Sequence, residues 1–151
     1  MAVDQELVDA AIELARNRFG GTPWSGAAAL RLDDGTVLTS TAPDFPNQAV
    51  SLCHETGALC EAFKLGRSVT GSVCVTAADE DRGYWVLAPC GVCQERLFAH
   101  GPDVEVAVPE PADPRQWRAL RLRDVQPHWF ARVFPDDVWP FDAAEQAGRQ
   151  G

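Results

Sequence analysis

Basic residues are scarce in this chain: thirteen Lys and Arg stand against twenty-two Asp and Glu, a formal charge of −9 at pH 7. Nucleic-acid binding draws on a basic face that displaces counterions, so a partner tracked through its phosphates is not expected. The one arginine-rich run, Arg115 to Arg123, is broken up by Trp117, Leu120 and Leu122. Long apolar runs are also missing, and none approaches the roughly 20 residues that cross a bilayer. The opening residues, Met1-Ala2-Val3-Asp4-Gln5-Glu6, lack the basic and apolar regions of a secretion signal. The five cysteines are an odd number, two of them in a C-x-x-C, and do not make a disulfide framework. Reduced thiols free to take a metal are expected instead, and with them a cytoplasmic location. Internal repeats are absent. A chain of 151 residues is long enough for one hydrophobic core, read as a single domain over residues 1–141 followed by a polar tail, 142–151.

What is present is an alternation of helical and strand patterns. Leu7, Val8, Ala11, Ile12, Leu14 and Ala15 recur near helical spacing and predict a helix over 4–19, with Asp4 as its cap and Gly20-Gly21 as its stop. Asp33-Asp34-Gly35 between residues 27–32 and 36–40 predicts a β-hairpin. Residues 41–48 read as a loop. A helix is expected from Cys53 to Leu65, with Ala58, Leu59, Ala62 and Phe63 on its apolar face, and strands over 69–77 and 84–87. Cys90 opens a further helix to about Ala99, and 104–108 forms a strand. The proline-rich stretch 109–114 reads as a connection, 118–122 as a last strand and 124–130 as briefly helical. This order implies a three-layer α/β/α sandwich around a mixed five-stranded sheet.

The chemistry concentrates in two short stretches. Cys53-His54-Glu55 and Pro89-Cys90-Gly91-Val92-Cys93 together satisfy C-x-E followed by P-C-x-x-C, the pattern by which zinc deaminases hold their metal. Three protein ligands leave a catalytic zinc its fourth position. Cys53, Cys90 and Cys93 are therefore read as ligands of one Zn2+. Glu55, two residues after a ligand, is the proton shuttle. Heading the motif with His54 instead would put Thr56 in the shuttle position, and a hydroxyl cannot do that work. His54 is read as facing the substrate or supporting the site. A structural knuckle is the alternative, but such sites close with four ligands, and Cys60 and Cys74 read as core thiols.

These motifs resemble the cytidine deaminase family, in its short, homotetrameric, three-cysteine branch. Residues 22–30 with Asp33-Asp34-Gly35 look like that family's first hairpin, and residues 124–130 like its C-terminal segment. The resemblance implies one zinc per subunit and a small cytosine nucleoside or analogue as substrate; the charge and the short apolar runs add that no nucleic-acid or membrane partner is expected. It also implies that Trp24 lines the pocket, where family members carry a phenylalanine, and that Phe130 reaches a neighbouring subunit's pocket in a homotetramer.

Three departures stand out. The places of the family's ribose-holding Asn-x-Glu are taken by Ala42 and Asp44, of which Asp44 can still accept a hydrogen bond from a sugar hydroxyl. Thr56 and Gln94 occupy places where arginines are common. Deamination of cytidine or deoxycytidine is the leading expectation. Its rivals are another aminated ring, such as blasticidin S or a free base, and a non-catalytic zinc-binding scaffold. Among the remaining residues, Trp85 reads as sheet core and His100 as a helix cap or solvated.

Overall fold

The computed structural model describes residues 1–78 and 83–133. Residues 79–82 and 134–151, which include the end of the domain expected over 1–141 and the polar tail 142–151, lie outside these residues.

Asp4 begins the fold as the sequence predicts. Its carboxylate accepts from the Leu7 amide at 3.0 Å and caps α1 (Gln5–Phe19), which Gly20 ends in the left-handed region at φ 63°. The same carboxylate takes Arg31 at 2.8 Å, tying the start of the helix to β1 (Gly26–Leu32). β1 pairs antiparallel with β2 (Val37–Ser40) across the Asp33-Asp34-Gly35 turn, and on its other side with β3 (Val69–Ala77).

β3 is the axis of the sheet. Its first half pairs in parallel with β5 (Glu105–Glu110), at Gly71 and Ser72. Its second half pairs antiparallel with β4 (Tyr84–Leu87), from Cys74 to Ala77. One edge of a single strand thus serves two partners, and the order β2-β1-β3-β5-β6 carries β4 as a sixth strand beside β3. The expected mixed sheet is present with six strands rather than five. β6 (Asp113–Arg121) is longer than the sequence suggests, because the prolines interrupt nothing essential. Pro109 lies at a register shift and Pro114 near the start of an edge strand, where a missing N–H is tolerated.

Both faces of the sheet are covered, as the continuously buried Ala27, Ala28, Ala29 and Leu30 require. α1 closes one face over Ala29, Val73, Val75, Val86 and Ala107. On the other lie α2 (Thr56–Lys64) and α3 (Gly91–Phe98), over Leu30, Leu32, Val69 and Val106. After α4 (Leu122–Val125), Trp129 stacks on Phe98 of α3, with ring centres 4.5 Å apart, and donates to Glu95 at 2.6 Å. Phe63 departs from its expected place on the apolar face and is 37% exposed.

Candidate metal centre and adjoining pocket

Two chain turns from different elements meet at the α2/α3 face. Cys90 is the N-cap of α3, in extended conformation (φ −66°, ψ 166°), so Cys93 falls in the helix's first turn beneath it. Gln94 donates to the Pro89 carbonyl at 2.8 Å and fixes the approach to Cys90. The second turn differs from its sequence expectation. Cys53 does not open α2 but precedes it by three residues, and Glu55 is the N-cap.

Glu55 makes no capping hydrogen bond with its side chain. Ser40 of β2 does that work from outside the helix: its hydroxyl accepts from the Ala58 amide at 3.0 Å and donates to the His54 carbonyl at 2.5 Å. Gly57 makes room, since a Cβ there would lie 3.0 Å from that of Ser40. The Glu55 carboxylate is thereby released from capping and buried among the thiols, with 4% exposure.

The sulfur atoms of Cys53, Cys90 and Cys93 all lie within 4.8 Å of one another, and Cys53 and Cys90 approach to 3.3 Å. Zinc–thiolate bonds of 2.3 Å at tetrahedral angles separate sulfurs by about 3.8 Å, inside that range. The ionisation pattern also fits a cation. Burial, then the neighbouring Cys90 thiol, raises the Cys53 pKa. Burial and the Glu55 carboxylate push Cys93 far up. Burial opposes ionisation of Cys90 too, but the amides of Cys93 and Val92 and the Cys53 thiol outweigh it, and its pKa falls. Three thiols and a carboxylate repel one another as anions, and a divalent cation relieves all four.

Cys74 of β3 lies on the sheet face opposite Val73 and Val75, the face that carries α2 and α3. Burial holds its thiol strongly protonated, and Glu55 adds to the effect. It does not join the three-sulfur group. Sequence reasoning did not assign Arg96, three residues past Cys93, whose guanidinium donates to Thr56 at 2.9 Å and brings a cation to the first turn of α2. An arginine one helical turn after the last cysteine was the available signal.

Beside this centre lies a cavity of about 640 Å3 lined by Trp24, Gly26, Ala42, Asp44 and His54, with Arg18 and Phe19 at the end of α1. Three of the expected pocket residues are thus brought together. The cavity is not lined by the thiols or Glu55; His54 is the one motif residue it touches. Its Nδ1 is 3.3 Å from the Ala42 amide and from Thr41 Oγ1. Burial lowers the His54 pKa, against the opposing pull of the Glu55 and Asp44 carboxylates.

Trp24 is 61% exposed and is held at φ 65°, a left-handed conformation unusual for a bulky residue. Its amide bonds the Ala77 carbonyl at 2.9 Å, and its ring meets Trp85 edge-on at 5.8 Å. Trp85, expected as sheet core, is only half-buried and supports this wall. Phe130 is elsewhere: it is 66% exposed and packs on Trp129 rather than against the cavity of its own chain. His100 is neither a helix cap nor solvated, because its half-buried ring accepts from the Val69 amide at 3.2 Å.

No protein-family model matches the sequence. The chain is 34% identical over 105 residues to a cytidine deaminase of Mycobacterium tuberculosis, covering 70% of this chain and 71% of that protein. It is 27% identical over 109 residues to a blasticidin-S deaminase of Bacillus cereus, covering 70% and 78% respectively. Among solved structures, the cytidine deaminase of Bacillus anthracis superposes with a TM-score of 0.79 at 41% identity, covering 88% of this chain and 93% of that one.

Proposed function

The chain belongs to the cytidine deaminase family, and from that premise we propose that it is a zinc-dependent hydrolase converting cytidine, deoxycytidine or a close cytosine nucleoside analogue to the uridine product and ammonia. One observation carries the reading: three thiols converge beside a carboxylate that is 4% exposed and spared from capping its own helix. Cys53, Cys90 and Cys93 would hold one zinc ion per subunit. When bound, zinc supplies Lewis acidity that makes water a nucleophile near neutral pH.

Glu55 does the proton work. Its carboxylate takes a proton from the water that adds to C4 of the ring and gives it to ring nitrogen N3. It then takes the remaining hydroxyl proton and gives it to the exocyclic nitrogen, which leaves as ammonia. Burial keeps bulk water from competing for these protons. The cation of Arg96, placed on Thr56, and the amides at the start of α3 offset the charge of the three thiolates. Trp24 offers an aromatic wall to the substrate, His54 and Asp44 offer polar contacts, and Phe130 would reach the pocket of a neighbouring subunit in a tetramer.

The deciding experiment is ammonia release by the zinc-loaded protein from cytidine, deoxycytidine, cytosine and blasticidin S, beside Glu55→Gln. The variant is expected to keep its zinc and lose turnover by at least about 1,000-fold, general acid–base catalysis alone supplying 10²–10⁴. Retained turnover would overturn the mechanism. The blasticidin-S relative makes that antibiotic the second substrate reading. A non-catalytic scaffold would close the metal with a fourth protein ligand, whereas the sulfur group among the described residues has three members. Nor is any helix among the described residues long and apolar enough to cross a membrane; a cytoplasmic location is part of the proposal.

A further inference from the structure

We infer that His54 is the residue that reads the sugar: its ring is fixed in one neutral tautomer, with the Nε2–H turned to the cavity as a hydrogen-bond donor for an acceptor oxygen on the glycone. The inference rests on the deaminase reading for what fills the cavity, and on geometry alone for the donor.

A backbone amide can only donate. The Ala42 N–H, 3.3 Å from His54 Nδ1, therefore requires a lone pair on that nitrogen. Thr41 Oγ1 lies at the same distance and sends its own hydrogen to the Gly26 carbonyl at 2.6 Å, so it could only accept from Nδ1; the Ala42 hydrogen is fixed by the backbone and cannot turn away, and it is this contact that sets the tautomer. The ring proton is left on Nε2, which forms no hydrogen bond with any described residue. The main chain of His54 is held as firmly, by Ser40 on its carbonyl. Two anchors, one on the main chain and one on the ring itself, leave the imidazole little freedom.

Gly26 creates the seat. A Cβ at that position would come within 2.8 Å of Nε2 and 3.0 Å of Cδ2, so the imidazole occupies space that any other residue would claim. Gly26 and His54 both line the cavity, as does Asp44, an acceptor without a charged partner among the described residues. The cavity therefore presents a fixed donor and an acceptor beside the indole of Trp24. A free base would leave the donor unpaired. A nucleoside supplies hydroxyl and ether oxygens for it, and a polar group left unpaired on binding costs selectivity against the ligand that lacks its partner.

The test uses the zinc-loaded protein and two variants. His54→Phe keeps a ring without the donor, and His54→Gln restores an amide N–H near the position of Nε2. Nitrogen-15 spectra of the unliganded protein should show one ring, lost in both variants, with Nδ1 bare and Nε2 protonated. In calorimetry, His54→Phe should weaken uridine binding about 10-fold, the size of one hydrogen bond, and His54→Gln should recover most of it. KM for cytidine should rise in parallel while kcat changes less, and efficiency on cytidine relative to free cytosine should fall about 10-fold. A ring protonated at Nδ1, or equal uridine affinity in wild type and His54→Phe, would overturn the inference. A wild-type protein that turns over no aminated pyrimidine would sink the deaminase reading alone, and the spectra and calorimetry would still decide the donor.

Discussion

Replacing Gly26 by alanine places a methyl group 2.5 Å from the Val75 carbonyl and 2.8 Å from His54 Nε2. The carbonyl belongs to the sheet and cannot retreat, so overpacking should cost about 1–3 kcal/mol. Part of that strain is with the imidazole, and His54→Ala should relieve it. Urea denaturation of the two single variants and the double variant is expected to show coupling rather than additivity. At the same scale, the two cysteines outside the three-sulfur group should behave differently. Cys60, expected as a core thiol, is instead exposed, whereas Cys74 is buried as expected and held protonated by burial and by Glu55. Iodoacetamide should modify Cys60 and spare Cys74 in the folded, metal-loaded protein, as peptide mass spectrometry would report.

The start of α2 shows why one element cannot be understood from its own residues. Helices usually cap themselves with a side chain at the N-cap, as Asp4 does for α1. In α2 the N-cap residue is Glu55, and the cap is borrowed from Ser40 on β2. Removing it by Ser40→Ala should cost about 1–2 kcal/mol, the usual worth of a cap. It also releases the His54 carbonyl and frees the turn carrying Cys53 and Glu55. Activity should therefore fall in Ser40→Ala even where the protein remains fully folded, while Asp4→Ala, remote from the site, should lose a similar amount of stability with unchanged kcat. Thermal melts and steady-state kinetics on the two variants separate the effects.

At the scale of the whole molecule, stability should depend on pH and on metal. His100 has its pKa lowered from the usual 6.5 by burial, against the pull of Asp33, and in its neutral form accepts from the Val69 amide. The unfolded chain therefore binds a proton more readily than the folded one between the two values. Stability is fully present above about pH 6.5 and falls as the pH drops below it. Melting temperatures should decline from about pH 7 to 5, and His100→Gln should flatten part of that decline. Chelation should lower the melting temperature at every pH above this window, since an ion bound only by the native thiols stabilises by mass action.

Much of this protein was legible in residue order, because the signals are local. Asp4 and Gly20 bound α1, Asp33-Asp34-Gly35 marks the hairpin, and C-x-E with P-C-x-x-C marks the three cysteines that the fold gathers and the glutamate buried beside them. Strand ends were less legible, since Pro109 and Pro114 are breakers in isolation and tolerable only at a bulge and on an edge. Tertiary structure alone decided the rest. Ser40 and Ala58 are 18 residues apart, Thr56 and Arg96 are 40 apart, and neither partner carries a mark in sequence of the bond it makes. Likewise, nothing in residues 26 or 54 separately says that the missing side chain of one is the seat of the other. Such pairings follow from strand register and helix placement, which bring distant residues within a few ångströms and fix which atoms meet.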